Sequence, residues 1–259
     1  MNHLHVHTIG GIILSLFMTR PSAATPPDVT SPDFPVYVMN KIDDQYRGTK
    51  SHGVMMMTVK TAHFERTLTL ESWTLTQDYS LMRILKPLKE RGTATLKAKN
   101  DLYTYLNKTN RTIKITSAMM GGSWMGSHFT NDDLIRHTRL SRDFTISLDD
   151  ASKRSDSPTY TFTLIPKKNA VVVWSKQVVV VRKKDLQPLK QIYFDEKQKP
   201  VRQLTFSDFE PHDGRIMPMK MVMKPLDGSN EYTMVHWKSI DFNIDLSPSF
   251  FSIQKLKSF

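Results

Sequence analysis

The sequence predicts a mainly β fold, a curved antiparallel sheet entered by one helix, and three observations carry that expectation. Apolar residues recur at every second position over much of the chain, as strands with one buried face require. Turn-forming pairs separate those runs at short intervals. Only one stretch, near the N-terminus, carries a helical period. The 259 residues suit one large β domain, since barrels and sandwiches often reach about 200–250 residues as single units. A hydrophobic fraction of 39% with 10% aromatic residues supplies a core and excludes disorder as the main state.

Taken in order, Ile9 to Met18 is apolar but too short to cross a bilayer, which takes about 20 residues. Small residues follow at Ser22-Ala23-Ala24, so residues 1–24 read as a signal peptide cut after Ala24, although its n-region offers His3, His5 and His7 in place of Lys or Arg. Residues 25–259 then form one domain of an exported, periplasmic protein. Between Pro32 and Arg47, Val36, Met39, Ile42 and Tyr46 recur at spacings of three and four, with Gly48 behind them, which predicts a helix.

From Gly53 the period changes to two. Ala94, Leu96 and Ala98 alternate with polar neighbours, as do Ile113 and Ile115. Further strands are expected over 54–61, 68–76, 79–85, 102–106, 144–148, 160–165, 170–181, 191–194, 203–209, 216–223 and 232–240. Asn100-Asp101, Asn107 to Asn110, Ser155 to Pro158, Asp213-Gly214 and Asp227-Gly228-Ser229 mark turns. Exposed strand edges invite aggregation, so the meander is expected to curl toward a barrel.

Two segments stand out. In the run 216–223, Met217, Met219, Met221 and Met223 share one face, with Met55 and Met57 repeating the pattern on another strand. Thioethers are flexible and polarizable, which suits a surface that must fit ligands of varied shape, whereas a core packed one way favours Leu, Ile and Val. A methionine-filled core is the plainer alternative. Pro218 lacks a ladder donor, which suits an edge strand or a bulge. The second segment, Ser117 to Leu134, mixes glycines with Trp124, Met125 and Phe129, a composition fit for a lid over an apolar opening. Its end has capping-box spacing, with Thr130 as N-cap and Asp133 three residues on.

Little enzymatic chemistry is visible. No G-x-S-x-G elbow, H-E-x-x-H or phosphate-cradling glycine loop occurs, and the lack of any cysteine excludes disulfides, thiol catalysis and Cys-ligated zinc. His128, Asp132, Asp133 and His137 are close in sequence, but capping already accounts for the aspartates. No catalytic residue, metal site or cofactor is assigned. The formal charge of +11 calls for an acidic counterpart. Lysines and arginines are scattered and no aromatic nucleic-acid motif accompanies them, so anionic lipid headgroups fit an exported chain better than nucleic acid does.

Several runs resemble the bacterial outer membrane lipoprotein-sorting family: Arg91 to Leu96, Asp101 to Leu106, Ser123-Trp-Met-Gly-Ser127 followed by Phe129-Thr130 and Asp132-Asp-Leu134, Phe206-Ser-Asp208 and Pro218 to Met223. The resemblance extends over most of 25–259. His128 departs from it, where an acidic residue is more usual, as does Asn107, where Pro is common. That family is similar to the lipoprotein carriers LolA and LolB. The resemblance implies a half-open antiparallel β barrel of about 11 strands with an N-terminal helix, an apolar cavity and a short helical or loop lid. It also implies a monomeric, non-enzymatic carrier of lipid or lipoprotein acyl chains, working with an inner-membrane exporter of the RND or ABC type. The residues expected on the cavity wall are Met217, Met219, Met221, Met223, Met55, Met57, Trp124, Met125 and Phe129. An envelope sensor or adaptor that recognises a protein is the alternative, and an envelope enzyme the second.

Overall fold

The computed structural model describes residues 25–136, 140–170 and 172–258, so the expected signal peptide and His137 lie outside the described residues. Helix α1 (Phe34–Arg47) opens the domain with Pro35 in its first turn and stops at Gly48, whose φ of 62° favours a residue without a side chain. Its buried stripe is Phe34, Val38 and Met39, with Ile42 behind them. Val36, expected in that stripe, is exposed instead. The 34–38–42 spacing wins because the Phe34 ring packs edge-on against Tyr160 at 5.2 Å and lies 6.5 Å from Phe162.

The strands are β1 (Lys50–Lys60), β2 (Glu65–Leu75), β3 (Tyr79–Lys86), β4 (Ala94–Ala98), β5 (Asp101–Leu106), β6 (Arg111–Lys114), β7 (Phe144–Leu148), β8 (Thr159–Pro166), β9 (Lys176–Arg182), β10 (Gln187–Phe194), β11 (Pro200–His212), β12 (Arg215–Pro225) and β13 (Tyr232–Asp241). Short helices α2 (Asn131–Arg136), α3 (Leu140–Asp143), α4 (Asp150–Lys153) and α5 (Ile253–Lys257) complete the chain. All 13 strands form one sheet in the order β6-β5-β4-β3-β2-β1-β13-β12-β11-β10-β9-β8-β7. The count matches the thirteen runs marked by alternation, including the short ones at β4 and β6, and exceeds the eleven or so that the resemblance implies. Every neighbour is antiparallel. The edges β6 and β7 do not pair with each other, which leaves a half-open barrel.

Period-two patterning assigns each strand two faces, and both are used. Inside, Met55, Met57, Leu68, Leu70, Ile84 and Leu204 form the central core, while α1 covers Phe162, Leu164, Val179 and Val181. Outside, the C-terminal segment lays Phe251 and Leu256 over Leu81 and Leu96, and Arg83 Nη2 donates to the Lys255 carbonyl at 2.7 Å. Strand β4 is therefore buried on both sides. Two irregularities shape the middle. A Cβ on Gly53 would stand 2.5 Å from the Ser239 carbonyl oxygen and 2.8 Å from the Trp237 ring, so only glycine allows β1 and β13 to approach where their register shifts. Pro218 lies on an interior strand, opposite Phe209 of β11 and two residues beyond Lys220, where the β12–β13 ladder stops.

Strands β6 and β7 are consecutive in the chain but occupy opposite edges of the sheet, and residues 115–136 cross the concave face. This strap is tied down strand by strand. Trp124 Nε1 donates to Thr95 Oγ1 on β4 at 3.1 Å, and Arg66 Nη2 on β2 donates to the Met125 carbonyl. The His128 backbone N–H donates to Thr233 Oγ1 on β13 at 2.9 Å, and its Nε2 meets Glu231 Oε2 at 3.2 Å. Arg202 on β11 donates through Nη1 to the His128 carbonyl at 2.8 Å and through Nη2 to Asp133 Oδ1 at 2.7 Å. The contacts follow the spatial order of the strands. The capping box closes α2 as the spacing requires: the Thr130 N–H donates to Asp133 Oδ2 at 2.7 Å, and the Asp133 N–H to Thr130 Oγ1 at 3.3 Å.

Two substitutions test this account. Phe162→Ala should cost about 3–5 kcal/mol in chemical denaturation, because it empties the space under α1. Arg202→Met strands a buried carboxylate and should cost about 3–5 kcal/mol, while adding Asp133→Asn should recover part of that loss. Hydrogen exchange in the Arg202→Met single variant should rise across 118–133 and stay unchanged in β12.

Candidate functional site

Beneath the strap lies a cavity of about 210 Å³. Its walls are the inward residues of the central strands, chiefly Met55, Met82, Leu204, Phe206, Met221 and Val235. Trp124, Phe129 and Leu134 of the strap form the roof, and Met39 and Ile42 of α1 close one end. The lining is mostly apolar. This volume exceeds the roughly 150 Å³ at which an apolar protein cavity already admits a small hydrocarbon.

Polar groups lie at three borders, one of them Asp43 at the α1 end. On β1 to β3, Ser51, Ser72, Thr74 and Ser80 make a strip of hydroxyls, with Ser51 Oγ and Thr74 Oγ1 hydrogen-bonded at 2.5 Å. On the opposite side Asp133 and Gln191 reach the wall. The Asp133 side chain is 5% exposed and its partner Arg202 7%. The Arg202 guanidinium packs over the Trp174 ring at 4.1 Å and the Tyr193 ring at 4.2 Å, two rings that meet edge to face with centroids 5.4 Å apart. Burial, reinforced by the Asp133 charge, pushes the Tyr193 phenol well above its ordinary value, so it remains a neutral O–H donor. At the outer end of the strap, hydrogen bonds from the His128 ring and the Ala62 N–H hold the Glu231 carboxyl below the usual carboxylate range.

Met55, Met221, Trp124 and Phe129 stand on the cavity wall. Met57 and Met223 belong to the solid core behind it, and Met125 packs on that core from the strap. Met217 and Met219 are buried without reaching the cavity. All four methionines of β12 do share the inward face, but the cavity meets that strand only at Met221. Asp133 and Asp132 are both buried, the former spent on capping and on Arg202. Sequence reading missed Arg202, Thr233, Thr95 and Arg66, which tie the strap, and the hydroxyl strip. Arg202 carried a signal all the same: it alternates with Leu204 and Phe206, so an inward-facing Arg is a buried ion pair in waiting.

Comparison with known proteins confirms the architecture. The structure aligns with a putative outer membrane lipoprotein-sorting protein domain from Vibrio parahaemolyticus at a TM-score of 0.77 and 22% identity, covering 88% of this chain and 100% of that one. A DUF1329 family protein from Desulfovibrio piger aligns at 0.74 and 22% identity over 86% and 99%. A LolA superfamily protein from Nitrosomonas europaea aligns at 0.70 and 17% over 85% and 98%. No curated protein matches the chain. A family model described only as "uncharacterized protein" matches residues 76–258. The chain therefore belongs to that uncharacterized family, and its members' span here is built on the fold shared with the LolA superfamily.

Proposed function

We propose that the protein is an exported, non-enzymatic carrier that encloses acyl chains of lipids or lipoproteins in the cavity beneath the strap. One observation carries the reading: an apolar chamber roofed by a segment that lays Trp124 and Phe129 on the sheet and is tied to it by hydrogen bonds at its edges. Apolar burial drives a chain into the chamber at about 0.8 kcal/mol per CH₂, while hydrogen bonds can exchange with water as the roof lifts. The likeness to the Vibrio lipoprotein-sorting domain supports this reading, as does the leader expected over 1–24, which places the chain in the periplasm. Transfer to or from an inner-membrane exporter of the RND or ABC type belongs to the same reading.

A surface feature supports loading at a membrane. In the antiparallel meander the β1–β2, β3–β4 and β12–β13 turns gather at one end of the sheet. They carry Phe64 at 44%, Leu88 at 80% and Leu226 at 38% exposure, beside Lys60, Lys86, Lys89, Arg91 and Lys224. Exposed apolar side chains among lysines match an anionic headgroup layer over hydrocarbon.

Native mass spectrometry of mildly purified protein should show bound lipid or uptake of offered lipids and lipopeptides. A chamber that stays empty under both conditions defeats the proposal. Met221→Glu, at a half-buried wall position, should reduce uptake more than about tenfold while leaving the circular dichroism spectrum intact. Leu88→Asp should weaken co-sedimentation with phosphatidylglycerol vesicles several-fold, since a leucine inserted in lipid contributes about 1.5–3 kcal/mol, with cavity binding of a soluble probe unchanged.

A further inference from the structure

Beside the cavity lies a second void of about 20 Å³ that shares Asp133, Leu140 and Gln191 with it. Phe144 and Val172 form an apolar side of this recess, and Asp132, Trp174, Gln177 and Tyr193 bring polar groups to its wall. That volume holds one oxygen-sized group, which needs on the order of 10–15 Å³. The two glutamines are already engaged, Gln191 Nε2 donating to Gln177 Oε1. Arg202 spends both terminal nitrogens on His128 and Asp133. Two donors on the wall are unspent. Among the described residues, the Tyr193 hydroxyl and Trp174 Nε1 are buried without a hydrogen-bond partner, and Tyr193 is only 1% exposed. Buried donors without partners are rare and costly, so two converging on one recess mark a place made for an acceptor.

We infer that this recess takes the neutral carbonyl oxygen of an acyl ester or amide whose hydrocarbon tail occupies the chamber, with Tyr193 and Trp174 donating to it. The inference rests on the carrier reading and adds which end of the cargo is read. The carboxylates of the recess select against a free fatty acid: Asp132 and Asp133 stand on its wall, the nearby Arg202 is already paired with Asp133, and a third carboxylate there would face like charge in a desolvated site. The shared chemistry is the uncharged acyl carbonyl, whether it comes from a glycerolipid ester or the amide-linked chain of a lipoprotein.

The test compares probes of matched length, methyl decanoate, its N-methyl amide analogue, decanoate and undecane, by displacement of a fluorescent acyl reporter. Wild type should hold the ester and the amide about fivefold to tenfold more tightly than the alkane, the worth of about one hydrogen bond, with decanoate weaker than the ester. Tyr193→Phe removes a hydroxyl that no other group of the fold uses, so the variant should fold normally. It should erase most of the ester and amide preference and leave the affinity for undecane unchanged. An unchanged preference in Tyr193→Phe, or decanoate bound as well as the ester, overturns the inference while leaving the carrier intact. Failure of wild type to take up any of the four probes overturns the carrier reading itself.

Discussion

One constraint organises the molecule: two strands adjacent in the chain lie at opposite edges of a sheet 13 strands wide. No short turn can join them, so the connection has to run over the concave face, and whatever lies between strap and sheet is enclosed. The cavity is thus a product of chain connectivity as much as of side-chain size. Its roof lies over the central strands, and α3, which packs on α1 and bonds Asn40 through Ser141, leads into β7, so helix, strap and sheet meet around the chamber.

The strap's fastening is chemically unlike the rest of the core. Leu68, Leu70 and Ile84 are held by burial alone, but the crossing segment adds to the buried Trp124 and Phe129 an arginine packed against two rings and bonded to a carboxylate. The guanidinium suits that place because it is planar, stacks on aromatic faces and forks toward two acceptors, which an ammonium cannot reproduce. A buried ion pair of this kind adds little net stability once desolvation is counted, yet it specifies where the segment must sit. Because α2 begins at the same carboxylate, its cap and the strap's position are set by one side chain.

Much of this could be read from the residues alone. Alternation located the strands and the capping spacing located α2, because both depend on contacts near in sequence. The exposed Val36 shows the limit of that logic: two apolar spacings were available on α1, and the aromatic partners that chose between them come from β8, over a hundred residues away. The methionine run on β12 was visible as an inward face, but where the hollow meets that face depends on the crossing segment, which no local pattern encodes. The hydroxyl strip was invisible for the same reason, since Ser51, Ser72, Thr74 and Ser80 come together only through strand register.

The early end of the β12–β13 ladder has a mechanical meaning. Four residue pairs join those strands, from Lys220–His236 to Met223–Thr233, whereas the neighbouring β11–β12 ladder continues to His212–Arg215. Fewer backbone bonds must part there than at the adjoining seams with β11 and β1, so this line yields more readily than its two neighbours. Pro218, two residues past the last pair, brings no backbone N–H with which to extend it. The wall beside the cavity thus holds a soft seam between two firmly laddered ones.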